Sequence, residues 1–342
     1  MGGLARKATV IDKLRSEGFD VLILDAGNLF FKKETLEPGV GEDVAKLTAE
    51  IIVKSFNKIG CDVFSPGAKD FAAGLDFVKK MQENANFPFI SANIQDLEEN
   101  LLFKPYKIVE KEGLNIGVIG LSSKFVHPDI LVKDPISSLL EYLPQLQNEC
   151  DIIVLLFDSD EKDIRSIQAN NYNIDLIIRS KSKKRSKDGG TGNILEYSCG
   201  DRGKYLYQYD LIMVESGGKF RDLGSYENLK SNAQNKLNRM KKDNLTADLK
   251  VIYKDDLQSL RKIETYEAQI SEANLSISRF SQGNIIKMTK HELGKSISDR
   301  SDILKIVDEG KLNIVNIHGP QPPPGAHKHI RHDHDGDGIP DH

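Results

Sequence analysis

The sequence predicts an α/β layered domain, and three observations carry that expectation. Short runs of Val, Ile and Leu alternate with helix-period segments from residue 8 to about 215. Several runs are nearly continuous in apolar residues, as strands covered on both faces are. A chain of 342 residues with 39% hydrophobic content is also long enough to bury a sizeable core.

In chain order the strand candidates are "DVLILDAG" (20–27), "DVFSPG" (62–67), "FPFISANI" (87–94), "LNIGVIGLS" (114–122), "DIIVLLFD" (151–158), "IDLIIRS" (174–180), "GNILEYS" (192–198) and "KYLYQYDLIMV" (204–214). Between them, "EDVAKLTAEIIVKSFNKIG" (42–60) and "PISSLLEYLPQLQNE" (135–149) carry helical spacing. Residues 226–280 change character: Leu245, Leu249, Ile252, Leu257, Leu260, Ile263, Tyr266 and Ile270 form a narrow apolar stripe on a polar background. With "DNLTAD" as a break, a helical hairpin or coiled-coil arm competes with one rod of up to about 80 Å at 1.5 Å per residue. Either form needs a partner surface, its own second arm or another chain. In residues 283–317, "SDILKIVDEG" reads as helix and "KLNIVNI" as strand. Beyond "HGPQPPPGAHKH" the chain is Pro- and His-rich, a tail expected to be disordered.

Composition points to no polyanionic partner. The 47 basic and 51 acidic residues leave a net charge of −4, so the whole-chain charge argues neither for nucleic acid nor for an anionic membrane surface, and any basic site must be local; no nucleic-acid partner is expected. No apolar run reaches the roughly 20 residues of a membrane span, and "MGGLARKATVIDKLRSEG" has no signal-peptide core. Taken literally, that start describes a cytoplasmic chain. Cys61, Cys150 and Cys199 are too scattered for a disulfide framework and read as buried thiols.

The blocks "GGLARKATVIDKLRSEGFDVLILDAGNLFF", "CDVFSPGAKDF", "FPFISANI", "LNIGVIGLSS", "CDIIVLLFDSD" and "NIDLIIRSKSK" resemble, in order and spacing, the calcineurin-like metallophosphoesterases. The 5′-nucleotidase branch, with its sulfate thiohydrolases, is the nearest match, over about residues 2–215. "ISDRSDILKIVDEGK" resembles the segment that closes the domain. The resemblance implies a four-layer α/β/β/α sandwich with a dinuclear metal site at strand ends, where two cations clamp phosphoryl oxygens and activate a water.

The ligand positions implied by the family have changed here. A D-x-H strand would lie upstream of "GGLAR", so the first strand is absent from the chain as given. The A-G-D turn reads Ala26-Gly27-Asn28, G-N-H-E reads Gly67-Ala68-Lys69-Asp70, the L-S-H turn gives Asp158, and G-H-x-H becomes Ser180-Lys181-Ser182-Lys183. An ammonium about 4 Å from a cation costs about 4 kcal/mol per unit charge at an effective dielectric near 20. No dinuclear centre is therefore expected in the body.

Lys69, Arg179, Lys181 and Lys183, with Lys184, Arg185 and Lys187, are the candidate ligand-binding residues for a phosphorylated or sulfated group. The competing reading is a solvated loop. Asp158, Asp160, Glu161 and Asp70 offer a weaker oxygen site, or the start of a capped helix at "DSDEKDI". His127 and His291 read as structural. In the tail, Asp333, Asp335, Asp337, Gly338 and Asp341 match the first positions of a calcium loop. His327, His329, His332 and His334 there suit Zn²⁺ or another transition metal.

The expected organisation is a metallophosphoesterase-like domain over 1–217, a helical arm over 226–280, a closing segment over 281–317 and a metal-binding tail over 318–342. The expected function is an inactive member of that family reused as a binding or scaffold module. Two alternatives stand beside it: a phosphohydrolase of 5′-nucleotidase type, and a subunit of an extracellular assembly docked through the arm. The family's usual export and the calcium-loop pattern favour a periplasmic or extracellular location.

Overall fold

The computed structural model describes residues 3–170, 172–182, 184–186, 189–190, 192–200, 203–241 and 248–320. The first unit is α1 (Gly3–Ser16), β1 (Leu24–Asp25), α2 (Val40–Ile59) and β2 (Val63–Phe64). Glu42 and Asp43 face the positive end of the α2 dipole, and Gly60, at φ 87°, ends the helix with its N–H on the Phe56 carbonyl. β2 lies parallel to β1, Leu24 opposite Val63. A 3-10 turn over Ala68–Phe71, α3 (Leu75–Asn84) and β3 (Ile94–Gln95) follow.

β4 (Tyr106–Lys111) and β5 (Leu114–Ser122) form a hairpin turned at Glu112 and Gly113, both at positive φ. β6 (Leu131–Val132) pairs with β3, and α4 (Pro135–Glu149) starts at Asp134, whose carboxylate accepts from the Ser137 amide at 2.8 Å. β7 (Ile152–Asp158), α5 (Glu161–Ala169), β8 (Leu176–Ser180) and β9 (Leu195–Ser198) complete a sheet of order β4-β5-β7-β8-β9, parallel except at its first pair. All seven residues of β7 are buried, as its unbroken apolar run predicts.

The remaining elements are β10 (Tyr205–Ile212), β11 (Arg221–Asp222), α6 (Gly224–Met240), α7 (Leu249–Ile252), α8 (Leu257–Phe280), β12 (Ile285–Glu292) and α9 (Ser301–His318). β12 sits between β10 and β11. α6, α7 and α8 pack together through Leu237, Leu249 and Ile263, one from each helix. α6 ends at Met240 and α7 begins at Leu249, on either side of the expected break "DNLTAD", most of which lies outside the described residues; a second interruption follows Tyr253, where Asp256 caps α8 by accepting from the amides of Gln258 and Ser259.

One element corrects the sequence reading: "KLNIVNI" is the second half of α9, not a strand. Ile303, Val307 and Ile314 keep helical spacing along one buried face, joined to α1 and α2 in a single apolar cluster with Ile11 and Ile51. α9 runs through Gly310, which stands where Ile51 leaves no room for a Cβ.

Apolar packing occurs at three levels. One cluster joins β5, β7 and β8 to α4 and α5 through Leu139, Leu155 and Ile167. A second fills the space between the two sets of strands with Val63, Ile90, Val154, Leu156 and Ile286. A third lies outside β2, with Phe56, Phe64 and Phe89. Among the described residues no helix is long and apolar enough to cross a membrane.

Candidate functional site

The carboxyl ends of β1, β2, β7 and β8 converge, which is where open α/β sheets place their ligands. The loops approach closely because glycine permits it. At Gly27, φ is +103°, and a Cβ would meet the Ser65 oxygen at 2.6 Å and the Gly67 nitrogen at 2.7 Å. At Gly67 a Cβ would strike the Asp158 carboxylate carbon at 2.7 Å. Asn28 and Lys181 hold φ of 58° and 63°, left-handed conformations uncommon for residues with a side chain.

Asp158 lies at the centre, 1% exposed. Its Oδ1 accepts from Asn28 Nδ2 at 2.6 Å and Ser180 Oγ at 3.0 Å, and its Oδ2 accepts from the Ala68 amide at 2.9 Å. Asn28 Oδ1 accepts in turn from the Lys69 amide at 3.0 Å. Asp70 stitches the same loops from beneath: Oδ1 accepts from the Phe30 amide, and Oδ2 from the amides of Asn28 and Gly67. Burial pushes the Asp70 carboxyl up to about 7, against the downward pull of those three N–H groups.

The expected cations are distributed unequally. Arg179 lies on the strand face opposite Ser180, as the two-residue period requires. There it binds Glu161 at 2.9 Å, Glu196 at 3.1 Å and the Ser159 carbonyl at 3.1 Å. Its charge is committed to those partners, which corrects its expected place among the ligand-binding lysines. Lys181 pairs with Asp160 at 2.9 Å. Burial lowers the Lys181 ammonium, but the Asp160 bond and the charges of Asp158 and Asp160 outweigh it and leave it raised. Asp160 therefore stands at the start of α5 without capping it. Lys69 is half-buried beside Asn28, and its ammonium has no ion pair among the described residues. Arg185 lies over the Tyr205 ring, 4.4 Å from its centroid.

Lys183 and Lys187 fall outside the described residues, as do the tail candidates Asp333, Asp335, Asp337, Asp341, His327, His329, His332 and His334. His127 stacks edge-on against Phe71, and His291 bonds Gln208. Asp70 and Ser180 are the site residues whose roles the sequence reading missed. The signal for Asp70 was its place three residues after the turn glycine, half of a capping box.

A two-metal centre needs carboxylate, imidazole or amide lone pairs aimed at a shared point. Here both oxygens of Asp158 and of Asp70 accept from N–H and O–H donors, and the Asn28 oxygen accepts from an amide. Among the described residues no three His, Cys, Asp or Glu side chains form a metal-binding group. The residues present do not fit the dinuclear centre that the family implies.

No family model matches the chain. A 5′-nucleotidase of Vibrio parahaemolyticus is 39% identical over 127 residues, 36% of this chain and 21% of that protein. The trifunctional nucleotide phosphoesterase protein YfkN of Bacillus subtilis is 25% identical over 309 residues, 76% of this chain and 21% of its own length. These matches span about a fifth of the length of those curated relatives. The crystal structure of calcineurin-like phosphoesterase YfkN from Bacillus subtilis superposes with a TM-score of 0.58 at 18% identity, covering 92% of this chain and 89% of that one. By these likenesses the chain is similar to 5′-nucleotidases over about a third of its length and shares the fold of a calcineurin-like phosphoesterase.

Proposed function

We propose that this protein is a metallophosphoesterase-like binding or scaffold module whose site is closed by hydrogen bonds instead of metal ions. The Asp158 carboxylate carries the reading: it sits among Asn28, Ala68 and Ser180 and takes up the donors and the space that a bridging group would use. The layered packing supports the α/β/β/α sandwich, with α6 to α8 as an arm offered to a protein partner or a second copy. Lys69 and Lys181 give the mouth of the site two ammonium groups, suited to a phosphorylated or sulfated ligand held without cleavage. The Asp-rich tail adds Ca²⁺ binding and its histidines Zn²⁺ binding, in a protein working outside the cytoplasm.

A second reading, a metal-dependent phosphohydrolase, is favoured by the names of the relatives, which include 5′-nucleotidases. Hydrolysis of AMP and p-nitrophenyl phosphate with Mn²⁺ separates the two. The scaffold reading expects no turnover above a protein-free control. Turnover that disappears in Asp158→Ala would establish the second reading.

A further inference from the structure

One buried carboxylate joins the root of the helical arm to the edge of the sheet that carries the site. Asp222 closes β11, two residues before the start of α6, and is 6% exposed. Its Oδ1 accepts from the Gly224 amide at 2.7 Å, at the first residue of the arm. Its Oδ2 accepts from the Gly190 amide at 2.7 Å and from the Tyr197 hydroxyl at 2.6 Å. Gly190 belongs to the segment between β8 and β9, which begins with Lys181, and Tyr197 lies on β9 itself. Ser198 ends β9 opposite Arg179, and the next residue on β8 is Ser180, the donor to Asp158. The junction therefore lies at the same carboxyl ends of strands as Asp158.

Both sides of the junction are closely fitted. Gly189 holds φ at +139°, and a Cβ there would meet Asp222 Oδ1 at 2.7 Å. A Cβ on Gly190 would meet the Tyr197 ring at 2.8 Å, so two successive glycines let the backbone reach the carboxylate. On the arm side, Arg221 lies over the Phe280 ring, 5.5 Å from its centroid, and Tyr226 packs on the same ring at 5.7 Å. Phe280 ends α8, so the residues flanking Asp222 grip both long helices of the arm.

Tilting α6 carries Asp222 with it. Either Gly190 and Tyr197 follow, or their donors are left buried and unpaired, which is the costlier course. We infer that Asp222 is a positioning residue that makes displacement of the arm and of the site's edge one event, so that a partner seated on α6 to α8 and an anion held at Lys69 and Lys181 change each other's affinity. The effect on affinity rests on the function proposed above, whereas the junction itself is testable without either ligand.

The test uses the full chain and hydrogen exchange resolved to single amides. Phe280→Ala, with Tyr226→Ala as a second perturbation, loosens the arm's root without touching the site. Either is expected to speed exchange at the Ser186 and Ser198 amides at least fivefold and to leave β7 unchanged. Asp222→Asn leaves Gly224 its acceptor but turns a donor towards Gly190. In that background the same substitutions are expected to change Ser186 and Ser198 less than twofold. Inorganic phosphate at saturation is expected to slow the first turn of α6 at least threefold in the parent chain and not in Asp222→Asn. Equal effects of Phe280→Ala in both backgrounds, no effect in the parent, or phosphate that binds without slowing α6 would each overturn the inference. Phosphate that does not bind would overturn the anion reading of the site, and the Phe280→Ala comparison would still decide the junction.

Discussion

At the scale of single residues, the site is organised by two carboxylates that act as acceptors. Asp158 satisfies three donors from three different loops, and its removal leaves them buried and unpaired. A buried orphan costs about 1–3 kcal/mol, so Asp158→Ala is expected to lower unfolding free energy by about 2–4 kcal/mol in urea denaturation. A loss below about 1 kcal/mol would show that water replaces the carboxylate. Asp70 gives a pH signature. Its folded value, about 7, lies above the ordinary carboxylate value, so the native state holds the proton more tightly. Its contribution is fully present below the unfolded value, declines as pH rises towards 7, and is gone above it. Urea midpoints measured from pH 4 to 8 are expected to show that decline, and Asp70→Asn to remove it. Sequence made the turn glycines legible, but not the destination of Asp158. That depends on residues 28, 68 and 180 meeting across the ends of four strands, which no local pattern encodes. Charge counting put lysines in the hollow, whereas hydrogen bonding puts a carboxylate there.

At the scale of elements, the long buried strands were read correctly because a continuous apolar run has few other uses in a layered fold. β7 and β8 are the clearest cases. The β4–β5 hairpin was missed because its turn residues, Glu112 and Gly113, sit between a polar strand and an apolar one. α9 was misread because "KLNIVNI" is rich in β-branched residues, and packing on α1 and α2 overrides that propensity. Gly310 tests this directly. Gly→Ala inside a helix usually gains about 0.5–1 kcal/mol, but here the new methyl would lie 2.3 Å from Ile51. Overpacking typically costs about 1–3 kcal/mol, so Gly310→Ala is expected to destabilise the protein, as seen in its melting temperature. A rise in melting temperature would mean that the α2–α9 contact is loose. In the arm, Ile263→Ala removes a fully buried side chain from the small α6–α8 core. It is expected to speed hydrogen exchange across α6 and α8 while leaving β7 unchanged, with local destabilisation of about 2–4 kcal/mol. Equal acceleration in β7 would show that the arm does not open independently.

At the scale of the whole molecule, backbone geometry and apolar packing hold the layered frame, and neither needs metal. Gly27, Gly67 and the buried strands bring the loops together, and Asp158 and Asp70 fasten them. The frame was readable from ordered sequence blocks, whereas the meeting of Asn28, Ala68 and Ser180 around Asp158 was not, since those residues are far apart in the chain. Crystals grown with millimolar Mn²⁺ and measured at the manganese absorption edge examine the closed site most directly. The expected result is direct contact between Asn28 Nδ2 and an Asp158 carboxylate oxygen, with no anomalous density among Asn28, Lys69 and Asp158. Two anomalous peaks there, with Asn28 and Asp158 turned apart to ligate them, would contradict it.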